Sequence, residues 1–173
     1  MPPRLKRKDI EKRAEDILRR HKLYSIPIDP VVLANLEGIK VYNAKFSEDG
    51  LSGIISKRGK DVTMLVSQGD PPYRKRFTIA HELGHHYLHL EQDGEYIDNV
   101  VDLFRESDVE NDNDPLGERF KEVEANQFAA ALLMPEELVR EAYKNQGTLA
   151  RLSMVFNVSE EAMGIRLQRL NLV

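Results

Sequence analysis

The sequence FTIAHELGHH, residues 77–86, limits what this chain can fold into more than any other feature, because it holds two histidines four positions apart. A helix is predicted from about Tyr73 to His89, since a glycine- and proline-rich break precedes it and apolar residues recur along it. Residues four apart share one helix face, so His81 and His85 can direct both imidazoles at one metal ion. Glu82 lies about 100° around the helix axis from His81 and can reach a water molecule held by that ion. The pattern predicts a hydrolytic metal site with Glu82 as general base.

A third protein ligand has to come from another segment. The helix predicted for residues 118–134 offers two carboxylates beside an apolar face. Glu124 shares that face with Phe128 and Leu132, where a carboxylate is costly unless it is paired or bound to metal. We therefore predict Glu124 as the third ligand, with Glu122 as the alternative.

Other interpretations of the motif helix remain open. Its histidines could align by chance on a surface helix, and His86 and His89 are expected to be bystanders unless one orients a ligand or contacts substrate. Gly84 lowers helix stability by roughly 1 kcal/mol relative to alanine. A glycine there indicates close approach of backbone or substrate, or is merely tolerated.

The chain contains no cysteine, which excludes disulfides, thiolate metal sites and cysteine nucleophiles. A metal must then bind to His, Asp and Glu, and zinc is expected, with manganese as the alternative. The amino-terminal 21 residues lack the apolar core of a secretory signal, and no run of 18 apolar residues occurs. We expect a cytoplasmic protein without a membrane span.

The remaining elements predict an α+β fold in which a small antiparallel sheet packs on the active-site helix and a helical part follows. Strands are expected at 39–44, 51–57 and 61–67, with Arg58, Gly59 and Lys60 forming a hairpin turn between the last two. Further helices are expected at 9–21, 31–36, 136–143 and, as a pair joined at Asn157 and Val158, within 148–170.

Residues 91–116 form an acidic insertion within the predicted domain 1–135. From Glu91 to Pro115 there are ten carboxylates and one base, Arg105, so this stretch has a net charge of -9. The rest of the chain has a net charge of +5, which gives the total of -4. A solvated loop is the simplest interpretation, and a lid or a docking patch for a basic partner is the alternative.

Residues 136–173 are predicted to be a helical extension with helix-turn-helix rhythm that packs on the same core. Arg166, Gln168 and Arg169 could face nucleic acid, but the two helices could equally cover the core. We do not expect a nucleic-acid partner, and the sequence leaves the oligomeric state open.

Two long motifs resemble those of the ImmA/IrrE family of metallopeptidases. They are RFTIAHELGH at residues 76–85 and EANQFAAALLMP at residues 124–135, in the order that the family has them. With the amino-terminal helix and the sheet, the resemblance covers nearly the whole chain. The acidic insertion between the motifs is longer than usual for the family.

The resemblance implies a zincin-like fold, with His81, His85 and Glu124 as ligands and Glu82 as general base. It also implies an intracellular, site-specific endopeptidase that cuts a helix-turn-helix transcriptional repressor in mobile elements or stress responses. The rival hypothesis is a protein that binds a repressor or DNA around a structural metal without cutting anything. Glu82 favours the enzyme, because a pure binding protein has no use for a base beside the metal.

Overall fold

The computed structural model describes residues 4–47, 50–90, 94–99, 118–145 and 147–173. In these ranges seven helices and four strands follow one another along the chain. They are α1 (Arg7–Arg20), α2 (Pro30–Leu36), β1 (Lys40–Ala44), β2 (Leu51–Arg58), β3 (Asp61–Ser67), α3 (Pro72–Leu88), β4 (Gly94–Asn99), α4 (Glu118–Leu133), α5 (Glu136–Lys144), α6 (Leu149–Phe156) and α7 (Glu160–Arg169). The predicted α+β fold with a helical carboxyl-terminal part is confirmed.

The four strands form one mixed sheet in the order β1-β3-β2-β4. β2 and β3 make the predicted antiparallel hairpin, in which Arg58 pairs with Asp61 across a turn where Gly59 adopts a φ of +59°. β1 instead runs parallel to β3. The sheet is therefore mixed and not wholly antiparallel, because β1 pairs with β3 and not with β2, the strand that follows it in the chain.

β4 was not predicted, since it lies within the acidic stretch that we expected to be a loop. It pairs antiparallel with β2, and Tyr96 lies opposite Ile55. Its sequence, GEYIDN, has only two apolar residues. Among the described strands it lies at the edge of the sheet, a position that tolerates polar residues. The rest of the predicted loop, lid or docking patch lies outside the described residues.

The helices pack in successive layers on the sheet. α3 contacts β2, β3 and α4, and α4 in turn contacts α1. The apolar stripe predicted for α1, Ile10, Ala14, Ile17 and Leu18, is at most 1% exposed. This arrangement places both ends of the motif in the interior, between the sheet and α4.

The carboxyl-terminal helices join the same core through Leu152, Phe156, Met163 and Leu167. α6 ends where predicted, with Asn157 in a left-handed conformation, and the side chain of Ser159 accepts a hydrogen bond from the Ala162 amide to begin α7. The division into a domain of residues 1–135 and an extension remains a prediction.

Arg166, a candidate for nucleic-acid contact, is only 2% exposed. Its Nε donates to the carbonyl of Met134 at 2.9 Å, and both terminal nitrogens donate to the carboxylate of Glu11. Arg166 therefore ties α7 to α1 and to the end of α4. Among the described residues no helix has the length and apolarity that crossing a bilayer requires.

Candidate metal centre

α3 carries the motif into the protein interior. His81 and Glu82 are fully buried and His85 is 1% exposed. Burying a histidine or a carboxylate costs free energy unless hydrogen-bond partners or a ligand compensate for the lost hydration. The three side chains are therefore expected to interact with groups inside the protein or with a ligand.

The two histidines and Glu122 of α4 converge on one point. Nε2 of His81 lies 3.0 Å from Nε2 of His85 and 3.1 Å from Glu122 Oε2, and His85 Nε2 lies 3.2 Å from Glu122 Oε1. Four-coordinate zinc with bonds of about 2.0–2.1 Å would separate its ligands by roughly 3.3 Å. The spacing of these atoms fits a bound cation, and the three residues form a group among the described residues that could hold a metal ion.

The protonation of the cluster suits a cation as well. Burial lowers the pKa of His85 to about 4, so its imidazole is neutral at neutral pH. Burial alone would raise the pKa of Glu122, but its contacts with the side chains of His81 and His85 outweigh burial and hold that pKa below its usual range. A neutral imidazole and a carboxylate each offer a lone pair of the kind that zinc takes from proteins.

Glu124, the residue predicted as third ligand, does not lie beside the histidine pair. Its Oε2 is 3.0 Å from Nε2 of His89, and its Oε1 accepts a hydrogen bond from the Leu5 amide at 2.7 Å. Two helical positions turn a side chain by roughly 200°, so Glu122 and Glu124 cannot face the same point. Glu122, the alternative, takes the place beside His81 and His85.

The burial on which the choice of Glu124 rested is present, and the structure shows which groups accompany it. Glu124 is 6% exposed, as predicted, but His89 and the Leu5 amide compensate for its burial. The side chain of Glu122 is 42% exposed. This more open carboxylate is the one that faces the imidazoles.

Asn126 was not singled out from the sequence. Its Oδ1 lies 2.8 Å from Nδ1 of His81, so His81 can donate from Nδ1 and keep the Nε2 lone pair for an ion. Asn126 follows Glu122 by four residues and shares its helix face. That spacing was the available signal.

Tyr96 was missed together with β4. Its ring stacks on the imidazole of His85, with centroids 4.4 Å apart and planes inclined by 10°. Lys121 donates to the Tyr96 hydroxyl at 3.2 Å. Tyr96 thus forms one wall of the metal centre, at the edge of the sheet.

Two glycines allow the layers around the centre to approach closely. A Cβ atom on Gly84 would lie 2.9 Å from the Cα of Ala125, so the glycine permits the contact between α3 and α4. A Cβ atom on Gly53 of β2 would lie 2.7 Å from Glu82 Oε1. The backbone approach predicted at Gly84 is present, and the Glu82 carboxylate rests against β2.

A motif helix with two histidines that could hold a metal ion, a carboxylate from a later helix and a small adjoining sheet define a zincin-like protein. The chain belongs to the Peptidase_M78 family, whose model, described as the IrrE N-terminal-like domain, matches residues 34–168. The predicted family resemblance is confirmed, and with it a metallopeptidase-family function. No curated protein shows significant similarity to this chain.

Proposed function

We propose that the protein is a zinc-dependent cytoplasmic endopeptidase that cuts a protein substrate at a specific site. The observation that carries this proposal is the convergence of His81, His85 and Glu122, with donor atoms 3.0–3.2 Å apart. Glu82 lies next to His81 on the same buried turn. Membership of the Peptidase_M78 family supports a peptide as the substrate.

His81, His85 and Glu122 would hold the zinc ion. Two histidines and one glutamate are a common ligand set of catalytic zinc, which leaves a coordination position for reactants. When bound, the ion supplies Lewis-acid activation of water and of the scissile carbonyl. Manganese is the alternative metal, since it binds histidine and carboxylate as well.

Glu82 acts as the base and then as the acid. Its carboxylate accepts a proton from the attacking water as the new carbon–oxygen bond forms. The same proton passes to the amide nitrogen, which leaves as an amine when the carbon–nitrogen bond breaks. Gly53 leaves room for this carboxylate against β2, and the position of Glu82 one residue after His81 on α3 supports this role.

The substrate is proposed to be a helix-turn-helix transcriptional repressor. The support for it is the resemblance of residues 76–85 and 124–135 to peptidases that cut such repressors. An extended peptide can add to a free sheet edge through main-chain hydrogen bonds. Of the strands that the structure describes, β4 lies at one edge of the sheet and carries Tyr96 against His85, so a peptide paired with β4 would pass beside the proposed metal centre.

The test is cleavage of candidate repressors by protein loaded with zinc, compared with metal-free protein and with Glu82→Gln. We expect a single cut that needs the metal. Glu82→Gln should lose roughly 10²- to 10⁴-fold in rate, which is the usual contribution of general acid–base catalysis. Metal analysis of both proteins should show equal zinc content, since Glu82 is not a proposed ligand.

Two results would count against the proposal. Cleavage by Glu82→Gln at the wild-type rate would remove Glu82 from the mechanism. A repressor that binds tightly but stays intact with zinc-loaded protein would favour the non-catalytic binding protein instead.

A further inference from the structure

Polar contacts continue outward from His85, away from the converging donor atoms. His85 Nδ1 lies 3.1 Å from His89 Nδ1, and His89 Nε2 lies 3.0 Å from Glu124 Oε2. The other oxygen of Glu124 accepts from the Leu5 amide at 2.7 Å. The side chains of His89 and Glu124 are 6% and 7% exposed. A buried series of hydrogen bonds therefore joins His85 to the segment before α1.

The acceptors in this series determine the direction of each bond. The Glu124 carboxylate can only accept, so His89 donates to it from Nε2. Nδ1 of a neutral His89 then has no proton and can only accept. His85 must donate from its own Nδ1, which leaves the lone pair on Nε2, the atom that faces His81 and Glu122.

We propose that His89 and Glu124 are positioning residues that fix the Nδ1–H tautomer of His85 and thereby prepare its Nε2 to bind the metal. The inference rests on the proposed function and extends it to residues outside the ligand set. Neither side chain is placed on the ion or on substrate. His81 is oriented separately by Asn126, so each imidazole has its own partner.

Helix geometry explains why this pairing is available. His81, His85 and His89 follow one another at intervals of four residues and so lie along one face of α3 and its carboxyl-terminal cap. Glu122 meets the first two histidines, and Glu124 meets the third. The two carboxylates of α4 thus have different tasks, one toward the ion and one toward the residue that orients its ligand.

The experiment compares wild-type protein with His89→Leu, His89→Gln and a matched control, His86→Leu. Leucine removes the hydrogen bonds, whereas the glutamine amide can accept from His85 and donate to Glu124. His86 is a partly buried histidine of the same helix whose Nδ1 makes no hydrogen bond to the described residues. Nitrogen-15 NMR of the metal-free proteins reports the tautomer of His85, and chelator competition gives the zinc dissociation constant.

We expect the Nδ1–H tautomer of His85 in wild type, His89→Gln and His86→Leu, and a shift toward Nε2–H in His89→Leu. Zinc affinity should fall roughly 10- to 100-fold in His89→Leu, as for other residues that orient a metal ligand. Glu124→Gln, which keeps the shape and loses the charge, should fall between wild type and His89→Leu. Circular dichroism of the metal-free variants checks that each is folded.

An unchanged His85 tautomer together with wild-type zinc affinity in folded His89→Leu would overturn the positioning role and leave the proposed function intact. Equal losses in His86→Leu would also overturn it, because the effect would then not depend on this series of bonds. Failure of wild-type protein to bind zinc would overturn both proposals. If His89→Leu does not fold, the decision falls to Glu124→Gln, where wild-type affinity contradicts the proposal.

Discussion

Two buried clusters of basic and acidic side chains lie against α4, and they differ in how their hydrogen-bonding groups are matched. In the first, Arg166 meets the Glu11 carboxylate and the carbonyl of Met134. In the second, His81 and His85 meet Glu122. Each joins helices that are far apart in sequence.

The first cluster is complete without a ligand, because the donors of the Arg166 guanidinium face two carboxylate oxygens and a carbonyl. The second brings three possible metal ligands together, since both Nε2 atoms and the Glu122 carboxylate approach within 3.0–3.2 Å. Matched donors and acceptors indicate a structural link, and converging metal-ligand atoms indicate a cation site. Three measurements test this difference between the two clusters.

The largest effect is expected for Arg166→Ala. Removing one partner of a buried ion pair costs about 3–5 kcal/mol of folding stability. Glu11 would keep only its longer contact with Arg7, at 3.4 Å. Urea denaturation of metal-free protein measures this loss. Arg151→Ala, which removes an exposed arginine from α6, should change stability by less than about 0.5 kcal/mol. A loss below about 1 kcal/mol for Arg166→Ala would mean that this link contributes little, against typical buried pairs.

Glu122→Ala should show that the second cluster serves zinc binding more than folding stability. It removes a proposed ligand, so zinc affinity should fall further than the roughly 100-fold upper end seen for residues that only orient ligands. The free energy of unfolding of the metal-free protein should change less than in Arg166→Ala. In metal-free protein the Glu122 carboxylate has no cation to bind, so its removal breaks no metal bond. Isothermal titration with zinc and urea denaturation measure the two quantities, and Glu141→Ala on the exposed side of α5 serves as control. Wild-type zinc affinity in Glu122→Ala would remove Glu122 from the ligand set.

The same contrast explains what the sequence could predict. The spacing of His81, Glu82 and His85 has its meaning within one helix, so local periodicity was enough to predict that face. Gly84 also indicated close approach of backbone or substrate to α3, and the backbone that approaches is that of α4. The choice between Glu122 and Glu124 depended on the rotation of α4 relative to α3, which is a tertiary property. Burial alone could not decide which carboxylate faces His81 and His85, because carboxylates on different faces of α4 meet different partners.

β4 and the role of Arg166 could not be predicted from the neighbouring sequence either, because both depend on partners that are distant in the chain. β4 has too few apolar residues to be recognised in an acidic stretch, and it is held by pairing with β2, far away in sequence. Arg166 looks like a residue of a nucleic-acid-binding helix in a local window. Its partner Glu11 lies 155 positions earlier, and only the packing of α7 against α1 brings the two together.

The smallest expected effect is a loss of folding stability at acidic pH. Burial alone would raise the pKa of Glu11, but its hydrogen bonds and charge interaction with Arg166 outweigh that and lower the pKa below the unfolded value of 4.5. A depressed pKa means that the stability from this pair is fully present above pH 4.5 and is lost as pH falls through the folded-state pKa. The loss should be smaller than that in Arg166→Ala, because a protonated carboxyl group still accepts a hydrogen bond.

Glu11→Gln isolates this contribution, since the amide does not titrate. The difference in unfolding free energy between wild type and Glu11→Gln should be constant near neutral pH and shrink in acid, while titration of the other carboxylates cancels between the two proteins. Urea denaturation of metal-free protein at a series of pH values measures it. A difference that stays constant or grows toward acid would show that the Glu11 charge does not stabilise the fold, and the first cluster would then be held by packing and neutral hydrogen bonds alone.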